Sequence, residues 1–457
     1  MPEALLWAPS AWTPEGWREQ VVLRAGSDGR WTEVTADIAA PPPGALVLDG
    51  PLLPGLVNAH SHAFQRAFAG HAERRESASD DFWSWRDRMY RIALRISPAQ
   101  LRDVAAQLYV ELLKGGYTQV CEFHYLQHDA DGRPYADPLA MSWALADAAA
   151  ETGIGLTLLP VLYERAGFTT PLRDDQRRFR TSAEQVWQAA TAIAASGRPL
   201  LGAGLAIHSL RAARPESIAE LRRRADGFAG PIHIHVAEQT AEVDDCLATT
   251  GARPIEWLAR ERLLDARWQL VHATHSERTE IDAVAQSGAG VVLCPSTEAN
   301  LGDGLADLPG WLDTGVPLTI GSDSHVTRDW REELRWLEYG QRLTRRQRNV
   351  AAAPRAGLPS AAENLFSRVL AGSAAAAGEP RWGLVVGARA DALVVDVRED
   401  ALLGLAPGQT LDALLFSSPG TSWRAVMVAG RWVVQGRVHA EAAAIGERFA
   451  GTMRALG

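Results

Sequence analysis

Residues 53–62 read Leu53-Pro-Gly-Leu-Val-Asn-Ala-His60-Ser-His62. This is a short apolar run that ends in two histidines spaced by one residue. In a strand, residues i and i+2 point to the same side. His60 and His62 therefore project together, an arrangement that suits two imidazoles on one tetrahedral metal ion. Two hydrogen-bonded polar residues would look the same in isolation, so the surroundings carry the weight. Apolar runs ending in polar residues recur at Tyr117–His124, Ile154–Tyr163, Gly204–Leu210, Ile232–Glu238, Trp268–His275, Gly290–Thr297 and Leu318–His325, which makes eight in all. Helices are expected between them, over Pro98–Lys114, Pro138–Thr152, Ser182–Ser196, Pro215–Ala225, Ala241–Thr249 and Glu277–Ser287. Strands alternating with helices predict an α/β fold with a parallel sheet. Eight β/α units over residues 53–375 predict a (β/α)8 TIM barrel. The competing architecture is a doubly wound open sheet, but no G-x-G-x-x-G or G-x-x-x-x-G-K-[ST] loop follows an early run.

The chain has 457 residues, more than the ~250 of a typical barrel. The surplus lies at both ends. Glu19–Arg24, Trp31–Ile38 and Ala45–Leu48 read as short strands and turns, with a Pro-rich stretch at Pro41–Pro43. Ala392–Asp396, Ala413–Phe416, Ala425–Val428 and Arg431–Gln435 have the same character. Neither set buries a core alone. Residues 1–52 and 376–457 are therefore expected to pair into one small β-sandwich domain, with residues 53–375 as an inserted catalytic barrel. Ala371–Gly378 reads as the end of the last helix and a linker.

Composition narrows the function. The chain is 47% apolar and 22% charged, as globular proteins are, which excludes disordered and fibrous classes. Lys+Arg number 46 and Asp+Glu 55, for a net charge of −9. That balance argues against nucleic acid and anionic membranes as partners. Cys121, Cys246 and Cys294 are distant and odd in number, so neither a disulfide framework nor a four-cysteine zinc site is expected. Met1–Trp12 lacks a basic n-region, and no apolar run reaches the ~18–20 residues of a membrane span. A cytoplasmic protein is expected.

Nine of the twelve histidines fall within the eight runs, at or near their C-terminal ends. In a barrel, that face carries the active site. His235, from the fifth run, can add a third imidazole to His60 and His62, and Glu238 lies just past it. His272, from the sixth run, can face the centre. Asp323, in Gly321-Ser-Asp-Ser-His325, can ligate a divalent ion and accept a proton, although a lone Ser-Asp is also a helix cap. His233 is expected to be buried and hydrogen-bonded, and His275 to be structural. His325 fits either role. This set supports metal-assisted hydrolysis with a carboxylate as proton carrier. Nucleophilic catalysis has no comparable set, since G-x-S-x-G is absent.

H-x-H on the first run, His235-Val-Ala-Glu238, a His on the sixth run and Ser-Asp on the eighth resemble the amidohydrolase superfamily. Gly387-Ala-Arg-Ala-Asp-Ala-Leu-Val-Val-Asp396 resembles part of its split β domain. The resemblance spans nearly the whole chain. The fourth run has no lysine, unlike the binuclear members, which implies one metal ion per subunit. The H-x-A-E form is that of the deaminase branch. Four further stretches narrow the resemblance: His60-Ser-His-Ala-Phe-Gln-Arg-Ala-Phe-Ala-Gly70, Phe82-Trp-Ser-Trp-Arg86, Glu122-Phe-His-Tyr125 and His208-Ser-Leu-Arg211. They resemble members that hydrolyse N-formimidoyl-L-glutamate to N-formyl-L-glutamate and ammonia in histidine degradation.

The resemblance implies His60, His62, His235 and Asp323 as zinc ligands, with Fe2+ or Mn2+ compatible with the same donors. It implies Glu238, His272 and Asp323 as catalytic residues, and Gln65, Tyr125, His208 and Arg211 as substrate-binding residues. Arg211 also suits this role chemically, because a guanidinium meets a carboxylate bidentately; the plainer reading is a surface residue at a helix start. A homodimer is implied by analogy. Two other functions stay open: an aminohydrolase of a purine, pyrimidine or related ring, and a non-catalytic metal-binding barrel. Asp80–Tyr90 reads either as a lid over the site or as an amphipathic helix packed on the barrel. Arg342–Arg348 reads as a solvated helix face, and most of the 16 tryptophans, Trp336 and Trp423 included, as core or interface.

Overall fold

The computed structural model describes residues 3–71, 73, 82–417 and 423–457. Eight barrel strands pair in parallel and in chain order: Leu56–Ser61, Tyr117–His124, Gly155–Leu162, Leu205–Ile207, Ile232–Val236, Trp268–His272, Gly290–Leu293 and Leu318–Ile320. Every residue in them is buried. That is why the runs read as continuous apolar stretches rather than as alternation. The fourth strand is preceded by a separate short strand. Leu201–Ala203 pairs with the third strand at its lower end, and Leu205–Ile207 bridges the third and fifth strands. Helices fill the outer ring. Pro98–Lys114 shows how locally they are specified: Ser97 and Gln100 form a capping box and Pro98 opens the first turn.

The first and eighth strands close the circle through the residues that matter most. The Asp323 N–H donates to the His60 carbonyl at 3.0 Å, and the His62 N–H donates to the Asp323 carbonyl at 3.3 Å. Asn58 stitches the same seam, donating to Ser322 Oγ at 2.7 Å and accepting from the Ser322 N–H at 2.9 Å. Gly321 makes this approach possible. A Cβ there would stand 2.5 Å from His60 Cβ and 2.9 Å from the His60 carbonyl oxygen. Gly321→Ala is therefore expected to destabilise the fold by about 1–3 kcal/mol and to lower metal affinity. Urea unfolding and metal content measure both, and wild-type values for both would contradict this account.

The second sheet draws on both chain ends. Ala4–Thr13, Gly16–Ala25, Trp31–Thr35, Leu46–Val47 and Leu52–Leu53 join Ala392–Val394, Ala425–Val428, Arg431–Gln435 and Val438–His439. The seam is Leu52–Leu53 against Leu393 and Val394, antiparallel. Leu6, Leu23, Trp31, Val394 and Met427 are among the residues of its own buried cluster.

Three features at the ends differ from the sequence reading. Ala4–Thr13 is a long strand although Pro9 interrupts it, because its pairing with Gly16–Ala25 skips Pro9 and Gln20. Ala413–Phe416, read as a strand, belongs to the helix Thr410–Phe416, whose Leu411, Leu414 and Leu415 are buried. Short apolar runs do not by themselves separate strand from helix. The last element, Ala442–Leu456, is a helix on Pro98–Lys114. It is tied there by Arg448 to Asp103 and Glu151. No helix among the described residues is long and apolar enough to cross a membrane.

Candidate active site

Three imidazoles and one carboxylate meet at the C-terminal mouth of the barrel. His60 Nε2 lies 3.2 Å from His62 Nε2 and 3.0 Å from His235 Nε2. Asp323 Oδ1 lies 3.3 Å from both His60 Nε2 and His62 Nε2. Four donors each 2.0–2.1 Å from one ion stand about 3.3 Å apart at tetrahedral geometry. The spacings of His60 to His62, His235 and Asp323, and of His62 to Asp323, four of the six edges, lie at 3.0–3.3 Å and match that length. The His62 Nδ1–H donates to the Phe123 carbonyl at 2.9 Å, which leaves the Nε2 lone pair facing the centre. These residues can hold a divalent ion.

The electrostatics agree. Burial pushes the His60 imidazole down to about 3, and it also lowers His62 and His235. At neutral pH all three are uncharged, the form that ligates metal. Burial alone would raise Asp323, but the His60 hydrogen bond and the surrounding imidazoles outweigh it and hold the carboxylate well below its usual range.

Glu238 and His272 sit beside this cluster. His272 Nε2 is 3.7 Å from Glu238 Oε1 and 3.8 Å from Asp323 Oδ2. Burial pushes the Glu238 carboxyl up, His272 pulls it back, Asp323 adds to the rise, and it comes to about 7. A group so poised both takes and gives a proton near neutral pH. Burial would lower His272, but Glu238, Cys294 and Glu298 outweigh it and raise the imidazole well above its usual range. The turns that aim these side chains are strained. Ala237, His272, Ala273 and Asp323 have φ of 51°, 71°, 48° and 44°, left-handed values that non-glycine residues rarely adopt.

A cavity of about 50 Å³ opens onto Glu238, His272, Asp323, His62 and His235, and Gln65, Tyr125, His208 and Arg211 also line it. The structure thus brings all ten site residues read from the sequence to one place, His60 lying directly behind His62 and His235. Gln65 Nε2 donates to the Tyr125 hydroxyl at 3.3 Å. His208 packs edge-on to Tyr163, ring centroids 4.5 Å apart, and burial keeps it uncharged. Arg211 is 7% exposed, so it is a cavity residue and not a surface residue at a helix start.

Other residues at the site are given no individual role in the sequence reading. Residues 80 and 81 of the Asp80–Tyr90 segment lie outside those described, but Phe82–Ala93 is a helix that turns Trp85, Arg86, Met89 and Tyr90 to the cavity. The described part is thus a packed helix, one side of which forms part of the cavity wall. Arg178, deeply buried, anchors its end by donating to the carbonyls of Ala93 and Ile96. Glu122, from the second strand, accepts from Ser61 Oγ at 2.7 Å and from the Ala63 N–H at 2.5 Å. It holds the turn that follows His60 and His62, and burial pushes it up to about 8. Its only sequence signal was its place at the end of a strand.

Three further histidines from the strand ends lie outside the cavity wall. His233 Nε2 hydrogen-bonds the Ala376 carbonyl at 3.0 Å. The carbonyl of His275 accepts from Arg253, and its side chain lines a different groove. His325 braces the site without lining the cavity, its ring nitrogens 3.0 Å from Ser322 Oγ and 3.1 Å from the His62 carbonyl. Of the Arg342–Arg348 stretch, Arg342 pairs with Glu338 and Arg345 with Asp307, and residues 343–348 are exposed.

Residues 52–433 match the amidohydrolase family. Among curated relatives, formimidoylglutamate deiminase of Pseudomonas aeruginosa is 48% identical over 440 residues, 95% of each chain. A 5-methylthioadenosine/S-adenosylhomocysteine deaminase of Natronomonas pharaonis is 29% identical over 392 residues, 84% of this chain and 82% of the relative. Among solved structures, an amidohydrolase from Brucella melitensis superposes with a TM-score of 0.94 at 39% identity, covering 99% of both chains. An adenosine deaminase from Xanthomonas campestris with bound zinc shares the fold, with a TM-score of 0.80 at 22% identity over 99% of this chain and 98% of that one.

Proposed function

The chain belongs to the amidohydrolase family, and we propose that it hydrolyses N-formimidoyl-L-glutamate to N-formyl-L-glutamate and ammonia. The observation that carries this reading is the 48% identity with formimidoylglutamate deiminase over 95% of both chains. That activity places the enzyme in histidine degradation. The cavity chemistry supports the same substrate. The molecule is a linear amidine with two carboxylates, and Arg211 and Arg86 both line the cavity. Guanidinium forks suit carboxylates, so one arginine for each carboxylate is the natural assignment.

His60, His62, His235 and Asp323 would hold the metal, and zinc suits three imidazoles and a carboxylate. Bound there, the ion supplies Lewis acidity that makes water a usable nucleophile near neutral pH. Glu238, assisted by Asp323, takes a proton from the attacking water. The new bond forms at the formimidoyl carbon. His272, whose proton Glu238, Cys294 and Glu298 hold in place, donates a hydrogen bond to the oxygen added at the tetrahedral carbon and keeps that proton. Glu238 passes its proton to the terminal nitrogen of the amidinium, Asp323 takes the remaining hydroxyl proton as the formyl C=O forms, the carbon–nitrogen bond breaks, and ammonia leaves. Tyr125, Gln65 and His208 shape the cavity wall against the rest of the substrate.

The test is ammonia release from a panel of formimidoyl-glutamate, formimidoyl-aspartate, guanine, cytosine and S-adenosylhomocysteine. Turnover is expected on the formimidoyl amino acids, fastest on the glutamate. Turnover confined to a nucleobase or nucleoside would favour a ring aminohydrolase, the activity named for the relative at 29% identity, and would overturn the proposal.

A further inference from the structure

The structure assigns Glu298 as a positioning residue for His272. This rests on the reading of His272 as the group that faces the reacting atoms. The end of the seventh strand contributes no side chain to the cavity wall among the described residues. Instead the chain passes through Cys294 into the helix Pro295–Leu301, and Glu298 sits on its first turn, 3% exposed.

One carboxylate oxygen does two things there. Glu298 Oε1 accepts the Cys294 N–H at 2.9 Å and lies 3.4 Å from His272 Nδ1. The opposite ring nitrogen, Nε2, is the one that faces Glu238 and Asp323 at 3.7 and 3.8 Å. The imidazole is therefore held between a carboxylate that takes no part in lining the cavity and the two that do.

The two ring nitrogens of a histidine are not equivalent, and the partner of one decides what the other presents. A carboxylate behind Nδ1 keeps the proton on that nitrogen and fixes the ring plane, as the buried aspartate does in the serine protease triad. The need for such a brace is visible in the backbone. His272 and Ala273 both have left-handed φ, 71° and 48°, so the ring projects from a turn that regular strand geometry does not hold. Its other face stacks on His235, centroids 5.5 Å apart and planes within 24°, so a rotation of His272 would also press on a metal donor. A purely structural cap for the Cys294 N–H would need no negative charge, and a buried carboxylate is a costly choice for that task.

Glu298→Gln is the informative substitution, because the amide oxygen still accepts from the Cys294 N–H while the charge behind the ring is lost. We expect kcat to fall about 10- to 100-fold, the range for residues that orient a functional imidazole, with KM and bound metal unchanged. In a His272→Asn background, Glu298→Gln is expected to change kcat less than twofold, because the ring it positions is gone. Wild-type kcat in Glu298→Gln, or equal fold losses in both backgrounds, would overturn the assignment. If His272→Asn itself retained wild-type kcat, the reading of His272 would fall, and this assignment with it. Glu298→Asp guards against misfolding of the amide variant: it keeps the charge and should retain more kcat than Glu298→Ala, and equal losses in those two would count against the role.

Discussion

Glu238→Gln is expected to lower kcat by about 10²–10⁴-fold, the range that general acid–base catalysis supplies, with the metal still bound. The substitution preserves size and shape. It leaves the donors His60, His62, His235 and Asp323 untouched, and the contact of the residue-238 N–H with Glu242 Oε2 is made by backbone. What changes is the ability to cycle a proton. A carboxyl brought to about 7 by burial and its neighbours accepts from water and returns to nitrogen with little penalty either way, whereas an amide does neither. Ammonia release together with metal content per chain is the measurement. Activity near wild type would remove Glu238 from the mechanism. Lost activity with lost metal would instead make it part of the metal site.

Arg211→Met is expected to lower kcat/KM on formimidoyl-glutamate by about 30- to 5,000-fold, the equivalent of about 2–5 kcal/mol for removing one partner of a buried charged pair. The guanidinium is deeply buried and lines the cavity, so its attraction for a carboxylate is poorly screened by water. KM should carry most of the loss. Some falls on kcat as well, because the Arg211 charge also holds down the carboxyls of Glu238 and Glu242. Arg211→Lys should be intermediate, since it restores charge without the planar fork. The discriminating measurement uses a formimidoyl amine with a single carboxylate, alongside the dicarboxylate. A substitution that weakens the dicarboxylate far more than the monocarboxylate supports Arg211 as a carboxylate receptor. An unchanged KM on formimidoyl-glutamate would refute it.

The barrel was legible because buried parallel strands are apolar throughout and end abruptly in polar residues. Leu56–Ser61 and Trp268–His272 show this as plainly in the sequence as in the structure. Helix ends were legible where a local device marks them, as with Ser97, Pro98 and Gln100. The chain ends were harder. The ten-residue strand Ala4–Thr13, with Pro9 inside it, was not read, and Ala413–Phe416 looked like a strand until helices on either side gave the apolar stripe of Thr410–Phe416 something to pack against.

The candidate site divides in the same way. His60 and His62 share a strand and a face, so their partnership is written in a two-residue period. His235, His272 and Asp323 could be placed at strand ends, but only the closing of strand eight on strand one, through Gly321 and the Asp323–His60 hydrogen bond, decides that their side chains meet. Glu298 carries no local signal, and Glu122 and Arg86 stand in stretches that narrow the resemblance without showing what either residue does. Their importance comes from what stands behind or across from them once the barrel is built. The net charge of −9 belongs to the whole chain, yet the cavity gathers Arg86 and Arg211 beside four neutral donors and receptors in His62, His235, His208 and Tyr125. The sequence alone determined the element types and the residues at each strand end, because backbone periodicity and burial act locally. The tertiary structure alone decided which of those residues face one another, because hydrogen bonds and charge pairing act across space, here between Asn58 and Ser322, 264 residues apart.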